Sequence, residues 1–319
     1  MTDYDVFNGD ADGLCALVQL RHAEPRDAVL ITGVKRDITL LARVPAETGD
    51  RVTVLDVSLD KNRQHLQRIL SAGAEVFYCD HHAAGDIPNS ASLSSLINTA
   101  PDVCTSILVN QHLAGAYAEW AVVGAFGDNL ERSAVALARP LELSAEQLQL
   151  LRNLGTYLNY NGYGATLEEL YFEPDQLYQL IAAYTNPFDF VEDAEVEFLR
   201  LQNGYQQDMK AVAALRPETA TAGTAVYLLP DAPWARRVSG VFSNELANAN
   251  PDRAHAVLTL KSSGSYLVSV RAPLNNKTGA DELCATFPTG GGRKAAAGIN
   301  DLQADSLTQF VDRFTNFYG

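Results

Sequence analysis

Residues 4–13 read YDVFNGDADG, an apolar, strand-like run that ends in two closely spaced aspartates, Asp10 and Asp12. Three later segments have the same form, an apolar run that ends in an acidic residue: VTVLD at 52–56, VFYCD followed by two histidines at 76–82, and WAVVGAFGD at 120–128. In open parallel sheets the carboxyl ends of the strands line one crevice. The residues that we therefore expect to converge are Asp10, Asp12, Asp56, Asp80, His81, His82 and Asp128.

The first 130 residues alternate between short β-type runs and longer helical patterns, as a βαβ fold requires. The predicted strands are Tyr4–Phe7, Ala28–Thr32, Val52–Leu55 and Glu75–Cys79. The predicted helices between them include Leu14–His22 and Lys61–Ala72. We expect an α/β fold whose N-terminal domain has a mostly parallel sheet flanked by helices.

The pattern becomes mainly helical from Leu143 to Leu215 and then turns into a small, polar stretch, Arg216–Gly223. A smaller, mixed α/β domain follows, with predicted strands Thr224–Leu229, His255–Leu260 and Tyr266–Arg271 and a predicted helix Arg237–Ala249. We expect a catalytic domain at 1–190, a connecting helix and linker at 191–223, and a second domain at 224–319. The active site is expected in the cleft between the domains.

The composition favours a cytoplasmic protein without membrane contact. The sequence has no run of about 18 apolar residues, and its first residues are acidic and polar where a signal peptide needs a basic start and an apolar core. The four cysteines are isolated from one another, so neither a thiolate zinc site nor a disulfide framework is indicated.

The charge is distributed unevenly along the chain. The net charge is −15, and nearly all of it lies in the first 219 residues, because nine basic side chains balance eight acidic ones from Ala220 onward. An acidic surface repels long polyanions, which bind proteins through lysines and arginines that displace counterions. A short nucleotide or oligonucleotide substrate is therefore favoured over long duplex DNA.

Crowded carboxylates predict a metal centre. Such groups repel one another and raise their own pKa values unless a multivalent cation compensates them. Carboxylates mixed with imidazole suit Mn²⁺, with Mg²⁺ or Co²⁺ as alternatives, and two ions that share a carboxylate activate water for phosphoryl displacement. Each motif by itself is weak, because an aspartate that ends a strand is more often a helix cap or a turn residue.

The four motifs together resemble those of the DHH phosphoesterases. FNGDADG, LDVSLD, CDHH and GDN follow in the family's order, and TGGGRKAAAG at 289–298 is similar to the glycine-rich motif of the DHH-associated C-terminal domain. The resemblance covers nearly the whole chain. The family includes nano-RNases, pAp phosphatases, cyclic-dinucleotide phosphodiesterases, RecJ-type exonucleases and, with another second domain, pyrophosphatases and exopolyphosphatases.

The resemblance implies a role for each motif residue. Asp10 and Asp56 would bind one metal ion and Asp12, His81 and Asp128 the other, with Asp56 bridging both and a metal-bridging water as nucleophile. His82 would face the scissile phosphate as electrostatic support or proton donor, and Asp80 would orient the histidines. Asn8 stands where many relatives have a histidine, so we expect it to be a weaker ligand of the first ion.

The second domain carries the residues that the resemblance assigns to substrate binding, namely Arg271, Gly290, Gly291, Gly292, Arg293 and Lys294. Arg293 stands where a histidine is common, and its planar fork of donors matches phosphate oxygens. The three glycines would let backbone amides approach an anion, and residues 294–297 are expected to begin a helix. The alternatives are a solvent-exposed loop for the glycines and an exposed edge-strand arginine for Arg271.

The sequence thus predicts a hydrolase of two-metal type that acts on short oligoribonucleotides, linear dinucleotides such as pApA or pGpG, or pAp. A pyrophosphatase or exopolyphosphatase and a RecJ-like single-strand exonuclease are the enzymatic alternatives. A non-catalytic nucleotide-binding protein is the alternative of another class, because Asn8 weakens the first site. A homodimer is compatible with the resemblance.

Overall fold

A computed structural model describes all 319 residues. The chain divides into two compact units, Met1–Asn203 and Gly204–Gly319. The point of division lies within a helix, Glu195–Ala213. The predicted boundaries at 190 and 223 and the predicted interdomain cleft stay predictions.

The first unit is built on a sheet of five parallel strands in the order β2-β1-β3-β4-β5. Its strands are β1 (Asp3–Phe7), β2 (Ala28–Ile31), β3 (Arg51–Leu55), β4 (Glu75–Asp80) and β5 (Leu93–Ile97). The four predicted strands all agree with the structure to within one residue at either end. The edge strand β5 was not predicted.

Helices flank this sheet and continue the unit. They are α1 (Ala11–Ala23), α2 (Leu59–Ser71), α3 (Thr105–His112), α4 (Ala118–Gly127), α5 (Glu131–Ala138), α6 (Ala145–Asn161), α7 (Pro174–Ile181), α8 (Pro187–Asp193) and α9 (Glu195–Ala213), which crosses into the second unit. The α/β architecture with a parallel sheet and flanking helices is confirmed. Its consequence is that the carboxyl ends of β1, β3 and β4 lie side by side.

Alternating apolar side chains explain the core on one face of this sheet. Val6, Val54 and Tyr78, on the three central strands, are fully buried and pack in a cluster with Leu66 and Ile69 of α2. A buried ion pair joins β1 to α1, because the Arg21 guanidinium donates to both carboxylate oxygens of Asp5 at 2.5 and 2.8 Å. The last turn of α1 is thus fixed to the sheet.

The second unit has a mixed sheet of six strands in the order β10-β11-β9-β8-β7-β6. Its elements are β6 (Thr219–Ala220), β7 (Thr224–Leu229), α10 (Pro233–Ala249), β8 (Ala254–Leu260), β9 (Tyr266–Arg271), α11 (Ala280–Ala285), β10 (Gly290–Gly292), β11 (Ala296–Leu302) and α12 (Leu307–Tyr318). Strands β7 and β8 are parallel and the other pairs are antiparallel. The predicted mixed α/β character is confirmed.

Residues 294–297 do not begin a helix, and this prediction is wrong. The glycines form strand β10, which turns back into β11 through a hairpin closed by hydrogen bonds from Arg293 N to Ala296 O (2.8 Å) and from Ala296 N to Arg293 O (3.1 Å). Instead of a helix, this segment forms a hairpin, because the backbone of the glycine strand pairs with β11 at the edge of the sheet.

No helix of the chain is both long enough and apolar enough to cross a membrane. All four cysteines are buried and unpaired with one another. Burial raises the pKa of each thiol, with neighbouring carboxylates adding to the effect.

Candidate metal centre

Asp12 lies in the first turn of α1 and caps a different helix. Its two carboxylate oxygens accept hydrogen bonds from the backbone amides of Thr105 (2.8 Å) and Ser106 (2.7 Å), the first two residues of α3. The positive end of the α3 dipole therefore faces this buried carboxylate. Asp12 is held in place by structure that lies more than 90 residues away in sequence.

Asp56 follows β3 in a left-handed backbone conformation, with φ of 57°. This conformation is unfavourable for a non-glycine residue, and such strain is concentrated at functional sites. The amide of Asp56 is tied to Cys79 O of the neighbouring strand at 3.1 Å. Burial, and then the charges of Asp10 and Asp12, raise the pKa of Asp56 well above its usual range.

His81 is oriented by the main chain. Its Nδ1 lies 2.9 Å from Val103 O, and since a carbonyl can only accept, Nδ1 donates to it and Nε2 is directed into the site. Nε2 lies 3.3 Å from Asp56 Oδ1 and 3.8 Å from Asp12 Oδ2. A carbonyl behind a ligating imidazole is the arrangement commonly found at protein metal sites.

His82 is oriented by Asp80. The Nδ1 atom of His82 lies 2.7 Å from Asp80 Oδ1, and its side chain is 33% exposed whereas that of Asp80 is fully buried. Burial opposes the negative charge of Asp80, but the two neighbouring histidines outweigh it and hold its pKa below the usual value. The ligand atoms of Asp56, His81 and His82 all lie within 4.8 Å of one another.

Asp128 closes α4 and reaches the same group of residues from a third direction. Its Oδ2 lies 3.9 Å from His81 Nδ1, and its side chain is 11% exposed. Its backbone amide is fixed to Gly124 O at 2.9 Å. The end of an apolar helix, not of a strand, therefore presents this carboxylate.

Asp10 is fully engaged by protein groups. It is the N-cap of α1, and its Oδ1 accepts from the amides of Asp12 (3.0 Å) and Gly13 (3.2 Å). Its Oδ2 forms an ion pair with the ammonium group of Lys35. Burial opposes the charges of both groups, but their mutual attraction outweighs it, so the pKa of Asp10 is lowered and that of Lys35 is raised.

Asn8 precedes Asp10 and is buried beside the segment that carries Lys35. Its Nδ2 donates to the backbone carbonyl of Lys35 at 3.3 Å, while its Oδ1 is buried without a hydrogen-bond partner. Close packing constrains this turn, since a Cβ atom on Gly13 would lie 2.2 Å from Asn8 O. The amide nitrogen of Asn8 therefore faces the backbone carbonyl of Lys35.

The two expected ligand sets differ in their fit to a divalent ion. Asp12, Asp56 and His81 fit one, because the imidazole Nε2 faces both carboxylates and Asp56 is destabilised by burial and by its acidic neighbours, while Asp128 lies on the Nδ1 side of the same imidazole. The set built on Asn8 and Asp10 does not fit in the same way, because the Lys35 ammonium is already bound to Asp10.

The predicted substrate-binding residues gather at one corner of the second unit's sheet. Arg271 ends β9 in register with Ala296 of β11, next to the hairpin that holds Arg293 and Lys294. Its Nε donates to Asn244 Oδ1 at 2.8 Å. Three basic side chains, Arg271, Arg293 and Lys294, thus lie near the acidic first turn of α11, whose Ala280 amide donates to Lys294 O at 3.0 Å.

Two of the three glycines at this corner are required by packing. A Cβ atom on Gly290 would lie 1.8 Å from Cys284 O, and one on Gly292, whose φ is +146°, would lie 2.5 Å from the Cα of Ala297. Gly291 has open space around it. Close backbone packing therefore accounts for the first and third glycines without a ligand.

The site contains residues that the sequence did not indicate. Lys35 is 25 positions from its partner Asp10, and Val103 contributes only a backbone carbonyl. Thr105 supplies both an amide to Asp12 and, from its Oγ1, a hydrogen bond of 3.3 Å to Asp56. No feature of the sequence marks Lys35 as the partner of Asp10.

Comparison with known proteins gives no match to a protein-family model and none to a curated protein. Solved structures do match. The exonuclease RecJ bound to manganese has a TM-score of 0.59 at 19% identity over 99% of this chain and 89% of its own. The pGpG-specific phosphodiesterase PggH from Vibrio cholerae has a TM-score of 0.56 at 15% identity over 99% and 100%. The chain has the DHH fold.

The DHH fold predicted from the motifs is confirmed at this level. RecJ of Thermus thermophilus in complex with Mn²⁺ gives a TM-score of 0.64 at 17% identity, and this chain, covered to 99%, spans 52% of that longer protein. Within the DHH fold the ordered motifs occupy the ends of β1, β3, β4 and α4. The similarity at these identities concerns the fold, and the chemistry must be argued from the residues.

Proposed function

We propose that the protein is a metal-dependent phosphoesterase whose metal centre is formed by Asp12, Asp56, His81 and Asp128. The observation that carries this proposal is the orientation of His81. Its Nδ1 is engaged by Val103 O, so its Nε2 is directed at Asp56 and Asp12. The RecJ structures in complex with Mn²⁺ and with Mg²⁺ support an ion of that kind here.

A divalent ion held by these residues would supply positive charge for phosphate oxygens and make water a stronger nucleophile. The protein's own contribution is to place the ligands. The backbone of Asp56 and the α3 amides that bind Asp12 fix two carboxylates before any ligand arrives. Preorganisation of this kind saves reorganisation energy when charge develops on the phosphate.

His82 is the group that we assign to proton transfer. Asp80 accepts from its Nδ1, which leaves Nε2 of a partly exposed imidazole available to a substrate. An imidazole held in this way could give a proton from Nε2 to the leaving oxygen. Asp80 thus acts through His82 and does not touch the substrate itself.

The substrate class that we favour is a short nucleotide: an oligoribonucleotide, a linear dinucleotide such as pApA or pGpG, or pAp. The acidic character of the first 219 residues disfavours long strands. In the second unit we assign phosphate binding to Arg271, Gly290, Gly291, Gly292, Arg293 and Lys294. Among the proteins of similar fold, PggH is described as pGpG-specific, which is consistent with a dinucleotide.

Other activities remain outcomes of the same test. A pyrophosphatase or exopolyphosphatase is one alternative. A protein of similar fold, described as exopolyphosphatase-related and from Bacteroides fragilis, has a TM-score of 0.54 at 12% identity over 99% of this chain and 92% of its own. RecJ-like exonuclease activity on single strands and non-catalytic nucleotide binding are the others. The number of ions, Mn²⁺ as the preferred metal, a homodimer and a cytoplasmic location stay predictions.

The test is hydrolysis of a defined panel by the purified protein with Mn²⁺, Mg²⁺ or Co²⁺. The panel contains pNpN dinucleotides, short RNA, cyclic dinucleotides, pAp, single-stranded DNA and pyrophosphate. We expect linear dinucleotides, short RNA or pAp to be hydrolysed fastest. Faster degradation of long single-stranded DNA would contradict the substrate class, and no hydrolysis of any phosphate ester would contradict the enzyme.

A matched pair of variants assigns the activity to this site. We expect His82→Gln to lower kcat by about 10²–10⁴-fold while substrate binding is retained, because the proton donor is lost. His65→Gln, on the surface helix α2, is the control and should keep full activity. Equal activity of the two variants would exclude His82 from the reaction.

A further inference from the structure

Lys35 is fixed in place by four contacts. Its backbone amide donates to Gly162 O at 2.8 Å, and its carbonyl accepts from Asn8 Nδ2 at 3.3 Å. Its ammonium donates to Asn159 Oδ1 at 2.9 Å and lies 5.2 Å from the centre of the Tyr163 ring. The ammonium contacts several groups and the Lys35 side chain is only 22% exposed. Lys35 therefore carries a fixed, largely buried charge and is not an ordinary surface lysine.

The target of that charge is the carboxylate expected to hold the first metal ion. Asp10 Oδ1 is engaged by two backbone amides, and Asp10 Oδ2 is bound by Lys35. Asn8, the weaker ligand expected at the first site, donates from its amide nitrogen to the Lys35 backbone, while its Oδ1 is buried without a hydrogen-bond partner. Asp10 and Asn8 therefore position and neutralise a lysine.

Charge balance favours the same interpretation. Apart from Asp80, which is paired with His82, the four carboxylates of the centre (Asp10, Asp12, Asp56 and Asp128) carry four negative charges, which two divalent ions alone would neutralise. The ammonium would then be a buried cation beside a second cation, and a buried charge without compensation is costly. One divalent ion and one lysine supply three positive charges to the four carboxylates, so the ammonium is compensated and does not lie in contact with a second cation.

We infer that the Lys35 ammonium replaces one of the two metal ions expected for a DHH site, so that each chain binds a single divalent ion at Asp12, Asp56, His81 and Asp128. The inference rests on the proposed function and names the composition of the centre. The remaining ion does the work that the phosphoesterase proposal assigns to it. Lys35 compensates Asp10 and presents a fixed positive charge beside the ion.

The test is the number of Mn²⁺ ions bound by the full chain, measured by equilibrium dialysis with elemental analysis and by electron paramagnetic resonance. We expect one ion per chain with the hyperfine pattern of an isolated Mn²⁺. In Lys35→Met, which keeps an apolar stem of similar length, Asp10 is released, and we expect two ions and the signal of an exchange-coupled pair. Two coupled ions in the unmodified protein would overturn the inference.

Further variants separate Lys35 from its surroundings. Lys35→Arg retains a cation and should still bind one ion, whereas Lys61→Met, at an exposed lysine of α2, is the control and should also bind one. Adding Asn8→His to Lys35→Met should tighten the second ion further. Retention of a single ion by Lys35→Met and by that double variant would show that Lys35 does not exclude the second ion, and the inference would fail. A variant that loses the circular-dichroism spectrum of the parent is replaced by Lys35→Gln for the same measurement.

These outcomes are distinct from failure of the proposed function. One bound ion with no hydrolysis of any phosphate ester would refute the phosphoesterase while leaving the ion count intact. Two coupled ions with hydrolysis would refute the replacement by Lys35 and leave the phosphoesterase intact. No bound ion would refute both.

Discussion

At the residue scale, the pairing of Asp80 with His82 allows the charge of Asp80 to be removed while the size of its side chain is kept. Asp80→Asn keeps the size of the side chain but removes the anion that accepts from His82 Nδ1. We expect kcat to fall about 10–100-fold, the usual loss when a residue that orients an active-site histidine is changed. Mn²⁺ stoichiometry should not change. The measurement is kcat as a function of pH together with the ion count.

The control for this change is Asp60→Asn, at an exposed carboxylate in the first turn of α2. It should leave kcat and its pH profile as they are. An unchanged pH profile in Asp80→Asn as well would mean that Asp80 has only a structural role.

A second residue, His255 on β8, predicts a pH dependence of stability. Burial first, and then the charge of Arg253, lowers the pKa of His255 from its ordinary 6.5 to about 4, and its Nδ1 is buried without a partner. The folded protein thus prefers the neutral ring, while the unfolded chain binds a proton below pH 6.5. The stabilising contribution is complete above that pH and is lost as the pH falls toward 4.

We expect His255→Gln to make the free energy of unfolding less steep between pH 6.5 and 4, by up to about 1.4 kcal/mol per pH unit. Urea titrations across this range provide the measurement. His65→Gln is the matched control and should keep the slope of the parent. Identical slopes in all three proteins would show that the pKa of His255 is the same in the folded and unfolded states.

At the element scale, the short strand β10 allows a comparison of two neighbouring glycines. Gly292→Ala places a methyl group against the Cα of Ala297 at a positive φ, so we expect a loss of about 1–3 kcal/mol in the free energy of unfolding. Gly291→Ala meets no atom within 4 Å and should cost much less. Urea denaturation of the two variants measures the difference, and equal stability would argue against the β10–β11 hairpin.

The elements differ in how far the sequence predicts them, and the difference has physical causes. Strands β1, β3 and β4 are apolar runs buried by the sheet, and such runs are visible without a structure. Strand β5 reads LSSLI and lies half-exposed at an edge, so no clean apolar pattern marks it. Strand β10 consists of glycines alone and is formed only by its hydrogen bonds to β11.

The same reasoning applies to the site. The motif carboxylates and histidines were predictable, because each follows a recognisable apolar segment that topology carries to a shared edge. Partners that act through the backbone or from distant loops were not. The Val103 carbonyl and the α3 amides have no side-chain signature, and nothing in the local sequence distinguishes Lys35 from the other lysines.

At the scale of the whole molecule, metal binding should affect the two compact units unequally. The proposed ligands all belong to Met1–Asn203. An ion at a hundred times its Kd stabilises what it binds by about 2.7 kcal/mol, through mass action on the folded state alone. We expect Mn²⁺ to slow hydrogen exchange in peptides that cover residues 8–14, 54–58, 79–83 and 103–108.

Peptides from the β8–β9 pair of the second unit are the internal control and should exchange at the same rate with and without Mn²⁺. Mass spectrometry of the exchanging protein, with EDTA as the reference state, gives both sets at once. Protection limited to the second unit would place the ion elsewhere.

The ion pair between Lys35 and Asp10 has a practical consequence for handling the protein. A metal ion can be removed by a chelator, but an ammonium group that belongs to the polypeptide cannot, so treatment with EDTA leaves Asp10 neutralised. The demetallated protein therefore keeps part of its internal charge compensation during purification and storage. It should tolerate stripping and reloading with a chosen metal better than a site whose positive charge is supplied entirely from solution.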